Sequence, residues 1–214
     1  MNCCALAAQG GHLDVLRWMR GHDCPWDQWT CAAAAANGYL EVLVWARENG
    51  CPWSEDLTDE METNCCTLAA RGGHLDVLRW LRGHDCPWDK WTCAAAAANG
   101  CLEVLVWARE NGCPWSEDLE LGNLDCCALA AEGGHLEVLK WLRIHGCPWD
   151  SWTCAWAASS GHLDVLVWAR EHGAPWDGST RRLAAPGMAI WRGRVSSAGG
   201  HLEVLRWLDE HGAP

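Results

Sequence analysis

The apolar and polar positions of the chain follow one pattern that returns along its whole length. A glycine is followed by leucine two positions later, by valine and leucine at the fourth and fifth positions, and by tryptophan at the seventh. This spacing is helical, because residues three or four positions apart share one face of a helix. The reference glycines of the seven copies are Gly11, Gly38, Gly73, Gly100, Gly134, Gly161 and Gly200.

Each copy predicts a pair of helices. The segment before the glycine is rich in alanine, which favours a short first helix with a face small enough for close packing. After the glycine, an acidic residue at the third position suits the first turn of a second helix, and an arginine at the ninth suits its last turn. The side chains that we predict as N-caps of the first helices are Asn2, Asn64, Asp125, Thr30, Thr92 and Thr153.

The copies follow one another in steps of 27, 35, 27, 34, 27 and 39 residues. Self-similarity at such periods indicates stacked units that contact their neighbours. We therefore predict an all-α helical-repeat solenoid of about seven helix-turn-helix units, slightly curved, in a single repeat domain that spans residues 1–214.

The last unit departs from the pattern. Thr180 and Gly200 are 20 residues apart, whereas the equivalent spacing elsewhere is 8. About 12 residues, roughly 186–197 (PGMAIWRGRVSS), are therefore inserted between the two helices of this unit. They predict either a projecting loop or a first helix rebuilt from other residues. Both an incidental insertion and a basic interaction loop that contains Arg192 and Arg194 explain the sequence.

These repeats resemble ankyrin repeats. The segment GHLEVLKWL at 134–142 is similar to the second helix of an ankyrin repeat, and the alanine-rich segments resemble its T-P-L-H-x-A-A helix with cysteine and alanine in place of most of it. The resemblance implies a non-enzymatic scaffold that binds a protein across its loops and first helices. Because the short steps are about six residues below the usual 33, the β-hairpin fingers should be shortened or absent, with C-P-W-D-x-W-T in their place.

The charge of the chain limits the classes of partner that it can bind. The formal net charge is −12, from 28 acidic and 16 basic residues, which opposes nucleic acid or an anionic membrane as the partner. We expect a basic or neutral protein partner, and a monomer.

The first residues lack the features of a signal peptide, and no stretch approaches about 18 uninterrupted apolar residues. We therefore expect an intracellular, cytoplasmic protein.

The 15 cysteines form ladders. All except Cys101 recur at fixed offsets from the reference glycines, as expected for small buried apolar residues. The H-x-C pattern of His22 and Cys24 could form part of a zinc site, but no C-x-x-C partner accompanies it. Equivalent Cys–His pairs recur down the array, which argues against one activated nucleophile. We predict no catalytic residue, metal site or cofactor, with a thiol-rich metal-binding or redox protein as the alternative.

Tryptophan replaces phenylalanine entirely in this chain, which has 18 Trp and no Phe. Seven stand at the seventh position after the glycine, where we predict core. Six follow a proline, which is preceded by cysteine in five copies and by Ala174 in the copy of Trp176, and three precede a threonine. Both packing and recognition explain these two loop rows. The candidate partner-binding residues are Trp26, Gln28, Trp29, Glu55, Asp56, Trp88, Lys90, Trp91, Glu117, Asp118, Trp149, Ser151, Trp152, Arg192 and Arg194.

One pair of segments gives weak support for that choice. Residues 23–57 and 85–119 differ only at Gln28/Lys90 and at Tyr39/Cys101, so a loop position varies inside an otherwise repeated sequence. The function that we predict is a non-enzymatic protein–protein interaction scaffold. A structural spacer, as a fragment of a longer repeat array, is the second alternative.

Overall fold

The computed structural model describes residues 2–53, 64–115, 125–185, 187–191, 194–198 and 201–213. The chain divides into two compact units, Met1–Ala96 with Cys101–Pro114, and Ala97–Gly100 with Trp115–Pro214. We call them the N-terminal and the C-terminal unit. The prediction of a single domain over the whole chain stays a prediction.

The N-terminal unit is built from helix pairs. Its helices are α1 (Cys3–Gln9), α2 (Leu13–Gly21), α3 (Gln28–Ala36), α4 (Leu40–Glu48), α5 (Cys65–Arg71), α6 (Leu75–Gly83), α7 (Lys90–Ala98, whose last two residues belong to the other unit) and α8 (Leu102–Glu110). The first helices α1, α3 and α5 contact one another in order, and each also contacts the second helix of its own pair. This is the layered stack that the repeat predicts.

The C-terminal unit follows the same plan. Its helices are α9 (Cys126–Glu132), α10 (Leu136–Ile144), α11 (Ser151–Ser160), α12 (Leu163–Glu171), α13 (Gly178–Ala184) and α14 (Leu202–Glu210). The first helices α9, α11 and α13 contact one another in order. The predicted all-α helical-repeat architecture is confirmed by these pairs.

The insertion forms a β-hairpin. Strands β1 (Gly187–Trp191) and β2 (Arg194–Ala198) pair antiparallel, with Gly187 opposite Ala198 and Trp191 opposite Arg194. The first helix of this unit, α13, precedes the hairpin. The insertion therefore does not rebuild the first helix. The other predicted outcome, a projecting loop, stays a prediction, since the described strands show a β-hairpin between α13 and α14.

Small residues of the first helices and branched residues of the second helices form the core. Ala34 and Cys31 of α3 are fully buried, and so are Leu43 and Ala46 of α4. Cysteine recurs at the same buried positions in the other repeats, which confirms its role as a small apolar residue. Of the residues in the fixed ladders, Cys3 is exposed and Cys24 is half-buried.

Histidine after the reference glycine joins neighbouring repeats. In the C-terminal unit, His162 Nε2 donates to the carbonyl oxygen of Glu132 at 3.1 Å, and His201 Nε2 donates to that of Ser159 at 3.1 Å. The ring also lies against the glycine of the repeat before it. In the N-terminal unit, a Cβ on Gly38 would meet the His74 ring at 2.5 Å, and Gly38 has φ +75°. Glycine is therefore required there by space and by backbone conformation.

The predicted N-caps divide into correct and wrong ones. Asn2, Asn64 and Asp125 do cap α1, α5 and α9 through their side-chain oxygens. Thr30, by contrast, lies buried inside α3, and Asp27 caps that helix by accepting from Trp29 N at 3.1 Å. The same prediction is wrong for Thr92 and Thr153, which are also buried. Asp89 accepts from Trp91 N in place of Thr92, and Asp150 caps α11 in place of Thr153. The helices begin three residues earlier than predicted, because aspartate with extended backbone is the stronger cap.

The prediction that the second-helix tryptophans form the core is wrong. Trp18 is 64% exposed, and its six counterparts, Trp45, Trp80, Trp107, Trp141, Trp168 and Trp207, are half-buried. The fourth, fifth and eighth positions after the glycine point into the core. With 3.6 residues per turn, the seventh position lies roughly 100° around the helix from the middle of that buried arc. It therefore stands at the flank.

Candidate functional site

The tryptophans that follow Cys-Pro are held by an arginine from the end of the second helix. The guanidinium carbon of Arg82 lies 4.3 Å from the centre of the Trp88 ring, and Arg82 Nη1 donates to the carbonyl oxygen of Cys86 at 2.5 Å. On its other side, Trp88 meets the Trp107 ring edge-on at 5.9 Å. Trp88 is thus enclosed between its own repeat and the next one, where cation–π and aromatic contacts each contribute about 0.5–2 kcal/mol.

The same arrangement recurs in other repeats of each unit. Arginine lies over the loop tryptophan in the pairs Arg20/Trp26, Arg47/Trp53, Arg143/Trp149 and Arg170/Trp176, at 3.7–4.3 Å from the ring centre. Trp53 is 8% exposed, and Trp26, Trp88 and Trp149 are half-buried. The Cys-Pro-Trp row thus takes part in packing. We refer to these contacts as the Arg–Trp clamps.

Sequence reasoning missed the clamps. It assigned the arginine to the helix dipole alone, although arginine at the ninth position and tryptophan at the fifteenth occur together in six copies. That constant separation of six residues across a helix end was the available signal. It does not correspond to helical or strand spacing, so periodicity did not reveal it.

The tryptophans before the threonines lie in a different environment. Trp29 is 40% exposed, while Trp91 and Trp152 are half-buried. Each stands in the first turn of its helix, directly after the residue that varies between copies. We call Trp29, Trp91 and Trp152 the first-turn row.

The variable neighbours of this row make different contacts. Lys90 Nζ lies 5.6 Å from the centre of the Trp91 ring. Ser151 Oγ donates to Asp177 Oδ2 at 2.8 Å, and Gln28 is half-buried at the start of α3. Repeats of one backbone plan therefore present different polar groups beside the same aromatic ring.

The remaining candidate residues are not placed by the structure. Glu55, Asp56, Glu117, Asp118 and Arg192 lie outside the described residues. Arg194 belongs to β2, for which the backbone pairing alone is described. These six residues stay predictions.

The thiols are paired inside the repeats. Cys31 Sγ lies 3.9 Å from the carbonyl oxygen of Cys51, and equivalent contacts at 3.8–4.0 Å recur twenty residues apart in four other repeats. A hydrogen bond between the two thiols raises the pKa of Cys31 and lowers the pKa of Cys51. Both side chains are fully buried. A buried thiol without access to a substrate is poorly suited to act as a nucleophile.

One further thiol lacks a partner cysteine, and burial is the main cause of its raised pKa. Cys154 has Ala174 in place of a partner cysteine, and burial raises the pKa of its thiol to about 12. All 15 cysteines carry free thiols. Within the described ranges, no group of three or more histidine, cysteine, aspartate or glutamate side chains is arranged to hold a metal ion.

Comparison with known proteins agrees with this geometry. Residues 31–82 match the family model described as ankyrin repeats (many copies). The human ASB11 ankyrin repeat domain, known from a crystal structure, is similar in fold, with a TM-score of 0.67 and 17% sequence identity over 95% of this chain and 98% of that one. No curated protein matches the sequence. The chain has the all-α helical-repeat fold of that ankyrin repeat domain, as its sequence predicts.

Ankyrin repeats generally mediate protein–protein interactions, and the family is typically non-enzymatic. Among the helices that the structure describes, none has the length and apolar character needed to cross a bilayer.

Proposed function

We propose that the chain is a non-enzymatic protein-binding scaffold whose partner lies across the loops and the first helices. The observation that carries the proposal is the first-turn row. Trp29 exposes 40% of its surface although tryptophan is costly to leave in water, and the residue next to each ring of the row differs between copies. Exposed aromatic rings with variable polar neighbours are typical of binding surfaces.

Charge supports a basic or neutral partner. The chain carries a formal charge of −12, and acidic side chains such as Asp14, Glu41, Asp76 and Glu103 are exposed. A partner with a positive surface would be attracted to this field, whereas a polyanion would be repelled. The helix pairs hold the first-turn row in place before binding, so little ordering is required of the scaffold.

The test compares the first-turn row with an exposed tryptophan of a second helix. The triple variant Trp29→Ala, Trp91→Ala, Trp152→Ala should lose at least about tenfold in affinity for a captured partner, since aromatic anchors dominate interface energies. The matched control is Trp18→Ala, which removes a ring that is 64% exposed but lies on a second helix. Affinity is measured by titration, with thermal unfolding as the check on folding. Equal affinity of the triple variant and the control would contradict the proposal.

A further inference from the structure

The C-terminal unit has a surface pocket formed by its second helices α10 and α12 and by the loop residue Trp149. The pocket has a volume of about 450 Å³ and is lined by Lys140, Arg143, Ile144, Trp149, Trp168 and His172. We call it the α10–α12 pocket. Pockets of this size accommodate one or two side chains of a ligand.

Aromatic rings make up part of the wall. Trp149 meets Trp168 edge-on at 6.1 Å, and Trp168 stacks on His172 at 4.3 Å. Beside them, Ile144 stands at the end of α10 with 80% of its surface exposed. A ligand with an aliphatic side chain would remove this apolar surface from water, which is favourable in proportion to the area buried.

Two cations complete the pocket. Arg143 uses Nη1 for the carbonyl oxygen of Cys147, and its guanidinium has further N–H groups. Lys140 pairs with Glu137 at 2.7 Å, but both side chains are substantially exposed. Such a surface pair contributes about 0–1 kcal/mol. A ligand carboxylate can therefore replace Glu137 as the partner of Lys140.

Comparison with the equivalent place in the N-terminal unit shows which features the fold does not require. There the corresponding residues are Arg79, Arg82, Gly83, Trp88, Trp107 and Asn111. The clamp and the ring pair are the same, with Arg82 over Trp88 and Trp88 edge-on to Trp107. Ile144 has Gly83 as its counterpart, and His172 has Asn111. The isoleucine is thus an addition to a clamp that forms without it.

We propose that the α10–α12 pocket binds an acidic peptide segment of a partner protein, in which an aliphatic side chain lies next to a carboxylate. The aliphatic group packs on Ile144 and Trp168, and the carboxylate pairs with Lys140. The chain as a whole is acidic, so the peptide gains only from these short-range contacts. The lining contains none of the three first-turn tryptophans, and the proposal does not depend on the function proposed above.

The experiment follows the indole N–H resonances of the full chain while an acetylated and amidated Gly-Glu-Leu-Asp-Gly peptide is added. Trp149 and Trp168 should shift, whereas Trp88 and Trp107, their counterparts beside Gly83, should not. The variant Ile144→Gly should weaken binding about tenfold, the loss expected for one aliphatic contact. Lys140→Gln should weaken it up to about fivefold.

A gain-of-function variant tests the proposal without relying on lost binding, which an unfolded variant would also show. A Cβ at Gly83 would meet no atom within 4 Å, so the glycine has open space for the first atom of a side chain in the variant Gly83→Ile with Asn111→His. These changes should make Trp88 and Trp107 respond to the peptide.

Three results would overturn the proposal. The first is an equal response of both tryptophan pairs in the unaltered chain. The second is equal binding of a Gly-Gln-Leu-Asn-Gly peptide, which lacks the carboxylates. The third is a shift of Trp149 and Trp168 with protein concentration alone, which would assign the pocket to a second copy of this chain.

Discussion

The repeat of α5 and α6 and the repeat of α9 and α10 are two versions of one sequence, each in its own unit. Both carry the Arg–Trp clamp, with 4.3 Å between Arg82 and Trp88 and 4.1 Å between Arg143 and Trp149. The two copies differ at positions outside the clamp. The pairs that differ include Asn64/Asp125, Arg79/Lys140 and Gly83/Ile144, and Lys90/Ser151 differ at the start of the helix that follows. The contacts shared by both copies stabilise the packing of the helices. The positions that differ change the surface of each repeat and the dependence of its stability on pH.

The largest expected effect comes from breaking the clamp in either copy. Trp88→Ala should lower the free energy of unfolding by about 3 kcal/mol, because a ring enclosed by Arg82 and Trp107 is lost and a cavity is left. Trp149→Ala should do the same in the other copy. Urea unfolding followed by circular dichroism measures both.

Trp91→Ala is the matched control for the clamp, since it removes a tryptophan three residues away in the first-turn row. It should cost less than about 1 kcal/mol. If the Trp91 variant is destabilised as much as the Trp88 variant, the distinction between the two rows fails.

The next largest effect is expected from exchanging the capping residues Asn64 and Asp125, which differ in charge. Both side chains cap a helix, but Asn64 Nδ2 also donates to the carbonyl oxygen of Pro87 at 2.9 Å. Asp125 Oδ2 is buried and has no hydrogen-bond partner among the described residues. Burial raises the pKa of Asp125 to about 7. Asparagine suits this buried position at neutral pH better than a carboxylate does.

The sign of the pH dependence follows from the raised pKa. Between about pH 4 and pH 7 the folded chain keeps a proton on Asp125 that the unfolded chain has released, so stability falls as the pH rises through this range. Asp125→Asn should therefore raise the free energy of unfolding by about 2 kcal/mol at pH 8 and change it little at pH 4. Asn64→Asp should show the opposite change at pH 8. A gain from Asp125→Asn that is equal at both pH values would contradict this account.

The sequence predicted what depends on periodicity. Apolar spacing located the helix pairs, and fixed offsets assigned cysteine to the core. The sequence-based predictions fail where contacts with neighbouring residues determine the outcome. The pattern predicts Thr30 as a cap, although Asp27 is the better acceptor. It also predicts Trp18 in the core, although its position lies at the flank of the helix. The hairpin of residues 187–198 also had no repeat to compare it with.

The candidate site was predicted in part. The sequence singles out the W-D-x-W segment for packing or recognition. Its packing role is seen in the Arg–Trp clamps, and its role in recognition stays a prediction. Its two tryptophans could not be told apart from spacing. Trp88 is enclosed because Arg82 reaches across the helix end, and such a contact between side chains from two elements is not encoded in periodicity.

The central claim is that the Cys-Pro-Trp row holds the stack while Trp29 of the first-turn row stays accessible from solvent. Hydroxyl-radical footprinting of the native chain, read by mass spectrometry, tests it most directly. Trp29, which is 40% exposed, should be oxidised several-fold faster than Trp53, which is 8% exposed and lies under Arg47. Oxidation of Trp53 at the rate of Trp29 in the folded protein would contradict the claim.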